Sequence, residues 1–234
     1  MKIVVVLGSP RPEGNCAILA QKVCDAAEGQ GAEVQKFFVN KIDFIACQGC
    51  ESCKTTSDRC ILEDELTEVL GAVQKADTLI LASPVHLGDI SGRLKWFFDR
   101  AYSYLNPDFS SRLPSGKKAV FILLQAEPDE GELNYLFPRY ERWLKLYGFS
   151  PIYRLGATGV RFPGDITRQT RILEQAAALG RELVAPTALT PLGIDGYGID
   201  KLPGPGLGGG VREKAGMVWM AGISRRLKGV RPFI

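Results

Sequence analysis

No stretch of this 234-residue chain approaches the ~18 consecutive apolar residues of a membrane span, and the apolar run in MKIVVVLGSPRP is too short for a signal peptide. An excess of one charge is missing too. The 29 basic and 26 acidic residues are well mixed and leave a net charge of +3, so there is no basic footprint for nucleic acid. The sequence has no internal repeat, no G-x-G-x-x-G fingerprint and no G-K-[ST] phosphate loop. These absences lead us to expect a cytoplasmic protein with neither a membrane nor a nucleic-acid partner, in a compartment that keeps thiols reduced. Apolar residues make up 45% of the chain, enough for a full core without disulfide staples.

What is present is an alternation. Apolar runs at 2–8, 32–39, 77–85, 117–126 and 149–160 read as strands, and 15–28, 63–76, 91–105, 131–148 and 166–184 read as helices. Pro138 predicts a kink or break in the fourth helix. Strand–helix alternation of this kind predicts an α/β fold, a doubly wound five-stranded parallel sheet covered on both faces. In the order 2-1-3-4-5, strands one and three flank the crevice where such sheets bind ligands. We expect one domain over 1–184, then a Gly/Pro-rich extension over 185–234 with a short helix near 211–228.

Two loops face that crevice. GSPRPEGNC (8–16) offers a hydroxyl at Ser9, a permanent charge at Arg11, a tight turn at Gly14 and an N-cap at Asn15, with helix N–H groups behind them: the parts a phosphate needs. SPVHLG (83–88) has irregular backbone at Pro84 and Gly88 and carries the sole histidine, His86, which can hydrogen-bond or stack. Trp96, Phe97 and Phe98, just beyond, are expected to pack in the core or between subunits.

The remaining motif is ACQGCESCKTTSDRC (46–60), which holds four of the six cysteines as Cys47-x2-Cys50-x2-Cys53-x6-Cys60. In a reducing compartment disulfides are a poor first explanation for it, and metal ligation or redox chemistry is the better one. Four thiolates at this spacing suit a [4Fe–4S] cluster; zinc and a metal-free thiol set remain open alternatives. Cys24 is expected to be a small buried hydrophobe.

Gly8–Cys16 and Ser83–Gly88 together resemble the GSPRxxGNT-like and SPVYxG-like loops of the flavodoxin-like NADPH-dependent FMN reductase superfamily. With the cysteine cluster between them, the chain resembles its iron–sulfur flavoprotein branch, over roughly residues 1–184. The resemblance implies FMN, with its phosphate on Ser9, Arg11, Asn15 and Cys16 and its ring edge near Pro84, Val85, His86 and Gly88. Cys16 stands where the family has threonine, and His86 where it has tyrosine. QAEPDEGE (125–132) would form the third flavin loop. The resemblance also implies a [4Fe–4S] cluster, zinc being the alternative, on Cys47, Cys50, Cys53 and Cys60, in a loop on the flavin side of the sheet.

The implied function is electron transfer between a one-electron carrier such as ferredoxin and a two-electron acceptor. The implied assembly is a homodimer or homotetramer in which the cluster loop approaches a neighbour's flavin, with Phe44 and Ile45 supplying apolar contact. Two other functions stay open. One is an NAD(P)H-dependent FMN or quinone reductase with structural cysteines or zinc. The other is a non-enzymatic, metal-stapled module that binds a partner through 185–234, where Met217, Trp219 and Met220 lie beside Arg225, Arg226, Lys228 and Arg231.

Overall fold

The computed structural model describes residues 1–185. The residues expected to form the extension beyond that point, with its helix near 211–228, lie outside them. The strands are β1 (Lys2–Leu7), β2 (Glu33–Phe38), β3 (Thr78–His86), the two-residue β4 (Asp89–Ile90), β5 (Lys118–Leu124) and β6 (Ile152–Ala157). The helices are α1 (Asn15–Glu28), α2 (Ser52–Thr55), α3 (Leu66–Lys75), α4 (Gly92–Arg100), α5 (Gly131–Leu146) and α6 (Thr170–Val184). The sheet runs β2-β1-β3-β5-β6 with every neighbour parallel, and β4 folds back antiparallel on β3. With β4 set aside, this is the expected five-stranded order.

The central strands alternate between two cores rather than between core and solvent. Val4, Val6, Leu79, Leu81, Phe121 and Leu123 pack on one face with residues of α3, α4 and α5. Ile3, Val5, Ile80, Val120 and Ile122 pack on the other with residues of α1 and α6. Burying each such side chain contributes about 1.5–3 kcal/mol, which is why these strands read as continuous apolar runs.

Several boundaries differ from expectation. Helix α3 starts at Leu66 because the preceding residues serve as a stem: Asp64 pairs with Arg100, and the Glu65 carboxylate accepts the amide of Asp43. Helix α4 tightens at Arg100 into a 3-10 turn over Ala101–Tyr104. Helix α5 runs through Pro138 without a break, since that residue faces water while Leu133, Leu136, Phe137 and Tyr140 anchor the buried stripe.

Glu141 on α5 pairs with Arg154 of β6 and with Lys145. Burial pushes its carboxyl up, but the two cations outweigh burial and hold it below its usual 4.5. A depressed carboxylate stabilises the fold above its unfolded pKa and loses that contribution as pH falls through the folded value. Glu141→Gln is therefore expected to cost about 0.5–1 kcal/mol at pH 7, discounted for the exposed arginine, and less at pH 3. Denaturant unfolding at both pH values checks it; an equal difference at the two would refute it.

Candidate functional site

The crevice forms at the carboxyl ends of β1 and β3. The Gly8 amide donates to Ala82 O at 2.8 Å, joining the two strand ends. A Cβ on Gly8 would lie 2.7 Å from Leu94 Cβ and 2.8 Å from Ser91 Oγ, so glycine lets the start of α4 approach the loop. Beyond it, Arg11 N donates to Ser9 Oγ at 3.2 Å and Gly14 N to Arg11 O at 3.1 Å, winding residues 9–14 into a compact turn.

Asn15 is not the N-cap expected of it; Gly14 occupies that position and supplies no side-chain cap. The first-turn amides of α1 are left without intrahelical partners. The Asn15 side chain instead crosses to the segment after β6, donating to Phe162 O at 2.9 Å and accepting from Ile166 N at 3.3 Å. Cys16 is buried, and desolvation pushes its thiol up to about 12, so it stays neutral where an anion would sit.

Ser9, Arg11, Gly14, Asn15 and Cys16 meet Pro84, Val85 and His86 around one cleft of about 200 Å³. Of the residues expected there, Gly88 alone does not line it. SPVHLG is a strand extension rather than an irregular loop: Val85 pairs with Ile90 and His86 with Asp89 around a two-residue turn. Both turn residues have positive φ, 49° at Leu87 and 75° at Gly88, as a type I′ hairpin turn requires. Gly88 thereby faces Glu132, whose Oε2 a Cβ would meet at 3.3 Å.

Sequence reasoning missed three lining residues, Leu124, Val160 and Arg161, whereas Ala126 belongs to the 125–132 segment expected as the third flavin loop. Leu124 ends β5, and Val160 and Arg161 follow β6. Their signal is positional, since all strand ends of a doubly wound sheet open on the same side. Arg161 brings a second cation beside Arg11, whose Nη1 donates to Arg161 O at 3.2 Å. Gln125 opens the third loop, its amide nitrogen donating to the carbonyls of Glu127 and Asp129. Its Oε1 is a buried oxygen with no hydrogen-bond partner among the described residues.

The four clustered cysteines line a second cavity, of about 20 Å³. Gly49 and Glu51 take left-handed backbone, φ 63° and 57°, which turns the chain between Cys47 and α2. Cys47 and Cys50 are exposed; Cys53 and Cys60 are half-buried. The amide and hydroxyl of Ser52 pull the Cys50 thiol below its ordinary value. Among the described residues, no three His, Cys, Asp or Glu side chains converge tightly enough to hold an ion. The cavity has room for about one or two waters, so a larger group requires the exposed Cys47–Cys50 stretch to move outward.

Cations fasten this loop and its approach through carbonyls: Arg93 and Arg112 donate to carbonyls of residues 39–58, and the loop's own Lys54 donates outward. Arg93 donates to Val39, Ile42 and Phe44, Arg112 to Cys53 and Asp58, and Lys54 to Tyr102 and Leu105. The loop was expected on the flavin side of the sheet. Instead it runs down α4, from Arg93 near the cleft to Arg100 at the far end, and the two cavities share no lining residue. Nine helical residues span about 14 Å. Phe44 is buried against Trp96 rather than available for contact, whereas Ile45 is exposed. Phe97 and Phe98 are core residues, but Trp96 is partly exposed beside Arg93.

The family model described as NADPH-dependent FMN reductase matches residues 1–131. An iron–sulfur flavoprotein of Methanocaldococcus jannaschii is 30% identical over 186 residues, covering 78% of this chain and 95% of the relative. Another, from Archaeoglobus fulgidus, is 29% identical over 185 residues, covering 78% and 79%. The NAD(P)H:quinone oxidoreductase of Methanothermobacter marburgensis superposes with a TM-score of 0.60 at 20% identity, over 78% of this chain and 96% of that one, a likeness of fold. The strand order, the loops at the crevice and the matched sequence together place this chain in the NADPH-dependent FMN reductase family, as a flavin-dependent oxidoreductase.

Proposed function

We propose that the protein transfers electrons between a one-electron carrier such as ferredoxin and a two-electron acceptor, using FMN in the crevice and a [4Fe–4S] cluster on Cys47, Cys50, Cys53 and Cys60. The observation that carries this reading is the grouping of four thiols around one cavity in a chain that also has the flavin crevice. Bound FMN exchanges electrons singly or in pairs and a cluster exchanges them singly, so together they supply the coupling.

Residues of the chain do the binding. Arg11, Arg161 and the uncapped start of α1 present positive charge and free amides to a phosphate, while Ser9 and Asn15 add polar side chains. The neutral thiol of Cys16 adds no repulsion. Pro84, Val85 and His86 present the surface for the flavin ring, and Gly88 permits the turn beneath it. The thiol site fits its group by donor chemistry: four sulfurs, with half-buried Lys54 beside Cys53 and buried Arg100 beside Cys60 to offset thiolate charge. The separation of the two cavities along α4 supports a homodimer or homotetramer in which one chain's cysteine loop faces another's flavin. Exposed Ile45 and Ile61 flank that loop.

Arg11→Ala and Arg161→Ala are each expected to weaken FMN binding about 10–100-fold, the loss of one charge-assisted contact. Fluorescence titration of the apoprotein with FMN measures it, and unchanged affinity in both would reject the phosphate assignment. Anaerobically purified protein is expected to hold about four irons and four sulfides per chain, beside a flavin band. Zinc in place of iron, or iron-free protein whose flavin is bleached rapidly by NADPH, would replace this reading with that of an NAD(P)H-dependent reductase.

A further inference from the structure

Arg100 is the largest fully buried side chain among the described residues, 1% exposed at the end of α4. A guanidinium has five N–H donors, and here each has an acceptor. Nη1 donates to Asp64 Oδ2 at 2.7 Å and Ile45 O at 3.0 Å, and Nη2 to Leu62 O at 3.0 Å and Asp64 Oδ1 at 3.2 Å. Nε donates to Cys60 Sγ at 3.0 Å. Ile45 precedes Cys47, while Leu62 and Asp64 follow Cys60, so these contacts close the base of the cysteine loop from both sides. Asp64 completes the closure by accepting from Ile45 N at 3.3 Å and Leu66 N at 3.2 Å.

A buried cation needs its charge matched, and the Asp64 carboxylate does that. The Nε–H on sulfur is not required for the match. It is the one Arg100 donor directed at a thiol, and that thiol is the one separated from the other three by six residues.

We propose that Arg100 is the positioning residue of the thiol site. It staples the two stems of the cysteine loop and fixes Cys60 as the ligand that faces the buried guanidinium, which sets the reduction potential of the group the thiols hold. This rests on the cluster reading above. An N–H donor and a positive charge at a ligand sulfur favour the reduced, more negative state and raise the potential. Asp64, behind the guanidinium, opposes it.

Two substitutions on this one ion pair therefore move the potential in opposite directions. Full-length protein, loaded anaerobically with Fe(II) and sulfide, is titrated spectroelectrochemically as wild type, Arg100→Gln and Asp64→Asn. A negative shift for Arg100→Gln and a positive shift for Asp64→Asn support the inference, because simple loosening of the loop would move both the same way. Shifts of the same sign, or none, overturn it. If Arg100→Gln loses its flavin and helical circular dichroism, Asp64→Asn decides: a positive shift supports the inference, and an unmoved or negative one overturns it.

The staple is read separately in metal-free protein by amide exchange. Uptake over 44–46 and 61–66 at least tenfold faster in Arg100→Gln supports it, and unchanged uptake overturns it. Wild-type protein that takes up no iron overturns the cluster reading, and the exchange result then still decides the role of Arg100.

Discussion

Gly180→Ala is expected to destabilise the protein by about 2–3 kcal/mol, although alanine is the better helix former. Gly180 lies in α6 where that helix crosses α1. A Cβ there would overlap the carbonyl oxygen of Val23 and sit 2.8 Å from Ala26 Cβ. The crossing is lined by small or tightly packed residues, among them Ala20, Val23, Ala27, Ala176 and Leu183, all buried. A backbone oxygen cannot rotate aside as a side chain can, so the two helices must separate and open gaps along their seam. Gly71 in α3 is the control: no atom lies within 4 Å of its ideal Cβ. There the same substitution is expected to stabilise by about 0.5–1 kcal/mol through helix propensity and the unfolded chain. Thermal unfolding of both variants would separate the effects, at roughly 2–4 °C per kcal/mol for a domain of this size. A melting temperature for Gly180→Ala equal to or above wild type would refute the close crossing.

The fold was legible because its signals are local and repeated. Each central strand carries one apolar set for each face of the sheet, as Val4 and Val6 against Val5 show, and such runs can be read without partners. The crevice was legible wherever it is built from contiguous residues: Ser9 to Cys16, and Pro84 to His86. It was not legible at Val160 and Arg161, which join it only because β6 ends beside β5. Asn15 shows a second limit. A capping residue at a helix start reads as a cap, yet its side chain was taken by the backbone of residues 162–166, a contact spanning about 150 positions. The course of the cysteine loop was hidden for the same reason. Spacing counts ligands, but it does not say that Arg93, Arg100 and Arg112 draw the loop along α4 and away from the crevice.

The four thiols are expected to be equivalent for the metal and unequal for the fold. Alanine at any one of Cys47, Cys50, Cys53 or Cys60 should lower bound iron at least tenfold, since a site with three thiolates loses a corner of its ligand set. Flavin content should be unchanged, because the two cavities have no residue in common. Stability should divide the variants differently. Cys47 and Cys50 are exposed, and neither sulfur is bonded to a buried group, so their replacement should stay within about 0.5 kcal/mol in metal-free protein. Cys60→Ala instead strands Arg100 Nε in a buried position without an acceptor, which costs about 1–3 kcal/mol. Cys53→Ala falls between, because Arg112 and Lys54 grip that stretch mainly through carbonyls that the substitution leaves in place. Iron, flavin and denaturant midpoints on the same four preparations test all of this together. Iron retained by every variant would remove the thiol set as the ligand sphere. A Cys60→Ala midpoint matching that of Cys47→Ala would show that the Arg100–sulfur contact carries no weight in the folded chain.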